Sequence, residues 1–136
     1  MANEATIIER FGANSAGEVM SFTVSSSVAI AKGAVMVLSA SPRTMSAHSA
    51  AGQVFLGVTN AAKDASDSST ELGVVTNAVV NFAASGTIND GDTCILSNAA
   101  VPNYVEASNG CYDQRLIVGK AFGDASSSRV DVRVLK

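Results

Sequence analysis

The sequence predicts an all-β fold, a small β-barrel or sandwich built from two related β units behind an extended N-terminal arm. Three observations carry that expectation. Apolar and polar residues alternate with period two in several short runs, as half-buried strands require. No stretch of ten residues holds a convincing 3.6-residue period. A series of features also recurs in the same order in the two halves of the chain.

Composition sets the frame. The chain has 136 residues, of which 47% are apolar, 15% charged and 5% aromatic, with no Trp. It is rich in small residues, with 22 Ala, 18 Ser, 17 Val and 11 Gly. That length fits one domain with at most a short arm, and the balance is too apolar and too weakly charged for a disordered chain. No apolar run approaches the ~18 residues of a membrane helix. With a net charge of −3 and nine scattered Lys and Arg, no basic stripe is available to neutralise a phosphate backbone, so nucleic acid is not an expected partner. The first ten residues show no secretory signal, which points to synthesis in a cytoplasm.

Residues 1–17 read as the arm. Ile7, Ile8 and Phe11 form a short apolar cluster, and Gly12-Ala13-Asn14-Ser15-Ala16-Gly17 is a turn-prone joint. Such an arm can lie on a neighbour or fold back onto its own barrel. From residue 18 to 136 the pattern is β. Met20, Phe22 and Val24 alternate with Ser21, Thr23 and Ser25; Val54, Leu56 and Val58 with Phe55, Gly57 and Thr59; Val130, Val132 and Val134 with Asp131, Arg133 and Leu135. Short Val-rich runs at 35–38, 72–76, 78–83, 93–97 and 116–121, bounded by Gly, Asn, Asp or Ser, bring the expected total to eight or nine strands. The best helical candidate is a single turn at 61–66.

The repeat runs from about 28–77 to about 86–135. Ile30-Ala31-Lys32-Gly33 through Leu38-Ser39 matches Ile88-Asn89-Asp90-Gly91 through Leu96-Ser97. Leu56-Gly57 matches Val118-Gly119, Asp64-Ala65-Ser66 matches Asp124-Ala125-Ser126, and Leu72, Val74 and Thr76 match Val130, Val132 and Val134. Gly33 and Gly91 are expected to supply a positive φ in the turn, where a Cβ would cost about 1 kcal/mol or more. Gly57 and Gly119 are read as structural too.

Chemistry is sparse. His48 is the only histidine, set in a polar stretch where a solvated loop residue is the default, and no Gly-x-Ser-x-Gly elbow singles out a serine. Asn89-Asp90-Gly91-Asp92 resembles a fragment of a calcium loop but lacks the distal ligands; it reads as turn chemistry, as do Asp64, Asp67 and Asp124. Cys94 aligns with Met36 in an apolar slot, and Cys111 follows Asn109-Gly110 in a turn; both are expected as reduced thiols. No catalytic, cofactor or metal site is expected, and the chain is not expected to be an enzyme.

The duplicated element, carried by Ile30-Ala31-Lys32-Gly33-Ala34-Val35-Met36-Val37-Leu38-Ser39 with Phe55-Leu56-Gly57-Val58 and by Ile88-Asn89-Asp90-Gly91-Asp92-Thr93-Cys94-Ile95-Leu96-Ser97 with Ile117-Val118-Gly119-Lys120-Ala121, resembles the capsid decoration (cement) proteins of tailed bacteriophages. The resemblance covers residues 17 to 136. It implies a non-enzymatic structural protein of the virion on the outer surface of an icosahedral head, binding the major capsid protein, often as a homotrimer, and stabilising contacts between capsid subunits. On that reading the arm is placed on the capsid, with Thr6, Ile7, Ile8 and Phe11 as contact residues through strand addition. The alternative is a small glycan- or ligand-binding β module of a tail, fibre or cell surface, for which Tyr104 and Tyr112 are the only plausible stacking platforms.

Overall fold

The computed structural model describes residues 3–11, 19–50, 52–97, 102–108 and 115–135. The glycine-bounded joint, Cys111 and Tyr112 lie outside these. The described residues form eleven strands: β1 (Thr6–Arg10), β2 (Val19–Thr23), β3 (Val35–Leu38), β4 (Met45–Ala47), β5 (Phe55–Thr59), β6 (Glu71–Val75), β7 (Asn77–Ala84), β8 (Thr93–Leu96), β9 (Tyr104–Ala107), β10 (Ile117–Ala121) and β11 (Arg129–Leu135). They contain no helix. Within 61–66, Lys63 bridges antiparallel to Ile30 and residues 65–66 make a tight turn, closed by the Asp67 amide donating to the Asp64 carbonyl at 3.1 Å.

The two sheets have one topology. The second unit runs β7-β11-β10-β8-β9 and closes into a five-stranded barrel through a short parallel pairing of β7 with β9. The first runs β2-β6-β5-β3-β4, and a parallel bridge between Thr23 and Thr44 joins its ends at the corresponding place. Each unit therefore begins one strand before the sequence match does, at β2 and at β7. Closure leaves few strand edges to attract other chains.

The likeness extends to single hydrogen bonds. Gly33 N donates to Thr59 O and Gly91 N to Ala121 O; Thr59 N donates to Ala34 O and Ala121 N to Asp92 O. Gly33 and Gly91 have φ of 83° and 87°, so both turns use the left-handed region. Gly57 pairs with Met36, and Gly119 with Cys94, across the ladders. A Cβ on Gly57 would lie 2.7 Å from the Val75 carbonyl oxygen, and one on Gly119 would collide with the Arg133 carbonyl.

Matching positions also build the cores. The smaller cluster holds Phe22, Ile30, Met36, Met45 and Val74, all in the first unit. Their counterparts Phe82, Ile88, Cys94, Val105 and Val132 lie in the larger cluster, together with Val35, Val37, Phe55 and Val58 of the first unit. That larger cluster joins the two units, and across it Phe55 meets Phe82 edge to face at 6.4 Å. Each Val removed from water there contributes about 1.5–3 kcal/mol.

The N-terminal strand lies on the chain's own barrel. β1 pairs antiparallel with β7, using the stretch of its edge that β9 leaves uncovered. Ala5 is buried, and its amide donates to the Gly33 carbonyl at 2.8 Å. The Arg129 guanidinium fixes the entry by donating to the carbonyls of Glu4 and Asn81, each at 3.0 Å, and to Asn81 Oδ1 at 2.7 Å.

Candidate interaction surface

The four arm residues separate in the structure. Ile7 packs against the larger core, and Phe11 lies under the Arg133 guanidinium, 4.2 Å from ring centre to Cζ. Thr6 is exposed, and Ile8 is 57% exposed. The register of β1 on β7 shifts between Ile7 and Glu9, so Ile8 stands on a bulge. A bulge re-aims one side chain and twists an edge away from casual pairing. β1 is the terminal strand of its sheet, with β7 as its one strand partner among the described residues.

Beside β1 lies a cleft of about 590 Å³, walled by Glu4–Ile7 and Arg10 on one side and by Lys32, Gly33, Thr59 and Asn60 on the other. Arg10 and Lys32 bring two cations to it against the single carboxylate of Glu4, and among the described residues neither cation has an ion-pair partner. Thr59 contributes no free polar atom, because its hydroxyl donates to the Ala31 carbonyl at 2.7 Å and accepts from the Ala34 amide at 3.0 Å. A second, apolar groove of about 410 Å³ opens over the first unit. Met20 and Leu38, both more than two-fifths exposed, flank it above Phe22 and Leu56, and Thr76 and Arg115 add polar atoms.

The carboxylates act as turn residues. Asp92 Oδ2 accepts from the Asn89 amide at 2.9 Å, Asp124 Oδ1 from the Asp90 amide at 2.8 Å, and Asp67 Oδ1 from the Ser69 amide at 2.9 Å. Among the described residues no three His, Cys, Asp or Glu gather as metal ligands. Cys94 is a buried free thiol, pushed up to about 12 by desolvation and then by the charge of Asp92.

Two polar residues are placed against expectation. His48 is buried, not solvated, with 1% of its surface exposed. It follows β4, its amide donates to the Val35 carbonyl at 2.9 Å, and its Nδ1 accepts from the Asn103 amide at 3.2 Å. Desolvation lowers its pKa, and the Ala50 backbone opposes that only in part. Lys63, a charged residue in a polar loop, is 3% exposed. Its ammonium donates to the carbonyls of Ser26 and Asp67 at 3.0 Å, of Val28 at 3.2 Å and of Asp64 at 3.4 Å, stapling the 25–28 loop to the 63–67 turn. A lone Lys in an Asp/Ser-rich loop carries no sequence signal of such burial.

Scanned against protein-family models and against the curated proteins, the chain finds no match in either.

Proposed function

We propose that the chain is a structural protein of a phage virion that binds the outer surface of an icosahedral head and stabilises contacts between major capsid subunits, acting as a homo-oligomer, with a trimer as the expected form, and without enzymatic activity. The resemblance of its duplicated element supplies the class of partner. The observation that supports the reading best is the bulged edge strand β1, with Ile8 turned outward beside a cleft lined by Arg10 and Lys32. It offers an extended capsid segment main-chain pairing, an apolar contact and two charges at one place. A body of short, cross-linked strands adds little ordering cost on docking. An oligomer engaging several subunits together needs only modest affinity per contact.

Because β1 belongs to its own barrel, deleting it would perturb the fold along with any contact, so a point variant is the sharper test. Ile8→Glu alters an exposed side chain and leaves the pairing with β7. Heads stripped of this protein should take up the wild type to a fixed stoichiometry and take up Ile8→Glu at least tenfold more weakly, with the same thermal midpoint for both free proteins. Heads that bind neither protein saturably, or both equally, would refute the assignment. Light scattering of the free protein reports the oligomer.

A further inference from the structure

We propose that His48 and Asn103 form an acid-released latch between the two barrels, closed while the imidazole is neutral and opened when it takes up a proton. Asn103 is buried in the left-handed conformation, with φ of 72°, immediately ahead of β9, the strand whose two-residue parallel pairing with β7 closes the second barrel. It reaches into the first unit twice: its Oδ1 accepts from the Val35 amide at 3.0 Å, and its amide donates to His48 Nδ1 at 3.2 Å. Both partners stand on the β3–β4 side of the first barrel.

The second bond fixes the chemistry of the ring. Nδ1 is the acceptor, so the neutral ring carries its hydrogen on Nε2, which is buried without a hydrogen-bond partner. A proton can enter only at Nδ1. It would turn that atom from acceptor to donor, facing the Asn103 N–H, and place a full charge where burial already disfavours one. The Ala50 backbone offsets that cost only in part. β3, β4, the stretch from Ser49 to Val54 and that from Ser97 to Asn103 contain no ionisable side chain in the sequence. The next groups along the chain are Lys32, Arg43, Tyr104 and Glu106; the Arg43 guanidinium donates to the Ser21 carbonyl at 2.8 Å, and the Glu106 carboxylate accepts from Ser97 Oγ at 2.9 Å. The ring therefore protonates by leaving its seat, and Asn103 loses that bond with it.

Linkage gives the direction. The native pKa of His48 lies below its ordinary value of 6.5, so the open form binds more protons as pH falls. The latch is fully closed above pH 6.5 and weakens about tenfold for each pH unit below it, until the native pKa is reached.

His48 is the only histidine, so its ring proton resonance can be titrated in the wild type without a variant. The expected midpoint is below 6.5, and a midpoint at or above 6.5 overturns the proposal. Amide hydrogen exchange, corrected for the intrinsic pH dependence, should show protection of β9 about tenfold or more lower at pH 5 than at pH 7.5, with β11 little changed. In His48→Gln, whose side-chain oxygen still accepts but does not titrate, β9 protection should be independent of pH. Constant β9 protection in the wild type, or an equal fall in His48→Gln, refutes the latch.

Discussion

Replacing Lys63 by methionine tests the most concentrated polar device in the fold. Met retains the buried stem and removes the ammonium. Three protons serve four carbonyl oxygens, three of them at 3.0–3.2 Å and the fourth, on Asp64, at 3.4 Å. Hydrogen bonds to a charged group contribute about 1.5–3 kcal/mol each when their partners would otherwise stay buried and unpaired, so three of them set an upper bound of about 5–9 kcal/mol on the loss. Two effects offset most of it. The variant no longer desolvates a charge, which costs several kcal/mol in the wild type. All four carbonyls belong to residues exposed overall and the bonds to them are only part-buried, so hydration at the vacated site is expected to recover part of the loss. The net loss expected is about 2–3 kcal/mol, lowering the melting temperature by about 6–15 °C for a chain of this size. Urea unfolding should show a lower midpoint with unchanged slope, because the same surface is exposed on unfolding. Lys120→Met, at an exposed position on β10, is the control and should shift stability by less than about 0.5 kcal/mol. A Lys63→Met loss no larger than the control's would show that the four carbonyls are as well served by water as by the ammonium, and the reasoning would fail.

Gly119→Ala should destabilise by about 3 kcal/mol or more, since the new Cβ meets backbone at Arg133 that cannot swing aside; expression level and urea midpoint report it, and a near-neutral result would show that β10 and β11 can separate. Cys94, in a Cys111→Ser background, should resist a thiol reagent at pH 8 in the folded protein and react promptly in denaturant; fast native labelling would contradict its burial. Asn103→Ala should cost about 2–4 kcal/mol, because the Val35 amide loses its buried acceptor, and should leave His48 with a higher pKa by opening its seat to water. An unchanged ring titration would mean that Asn103 does not seal that seat.

What the sequence made legible follows how many side chains each strand commits to the core. β7 and β11 are eight and seven residues long, and their shared pairing runs from Asn77 with Leu135 to Ala83 with Arg129; β11 alternates and is found by its period of two, whereas β7 is found as a Val-rich run. β4 and β9 each bury a single residue fully, Met45 and Val105. One buried residue has no period, so neither stretch carries a strand pattern. The polar loops allowed a slip in the repeat as well. Matching Asp64-Ala65-Ser66 to Asp124-Ala125-Ser126 is natural by letter, but Lys63 N donates to Ile30 O as Ala125 N donates to Ile88 O, which sets Lys63 against Ala125. The seating of β1 on β7 depends on Arg129, 125 residues from the Glu4 carbonyl it holds, and no local pattern announces a contact at that range. His48 is hidden for the same reason: its neighbours in sequence are small and polar, and the donor to its ring is Asn103, 55 positions away.

The same comparison of halves explains why the joint sits where it does. Ser39 N donates to Thr44 O, and Ser97 N to Tyr104 O, so Arg43 and Asn103 hold equivalent places ahead of the third strand of each unit, and both adopt positive φ. The backbone demand is shared; the side chains answer it differently. Arg43 turns back within its own unit, donating to the Ser21 carbonyl at 2.8 Å with its guanidinium carbon 5.2 Å from the centre of the Phe22 ring. Asn103 is short enough to be buried, and it reaches across to Val35 and His48. The position that receives it has likewise diverged, since His48 N bonds Val35 O as Ser108 N bonds Thr93 O, setting an imidazole against a hydroxyl. Two copies of one barrel bury apolar surface against each other without specifying how they register. A left-handed Asn on one and an imidazole on the other supply directional bonds that only one arrangement satisfies. At the joint the two halves therefore differ in their polar side chains, while Gly33 and Gly91, Gly57 and Gly119, and the core positions of the two units correspond.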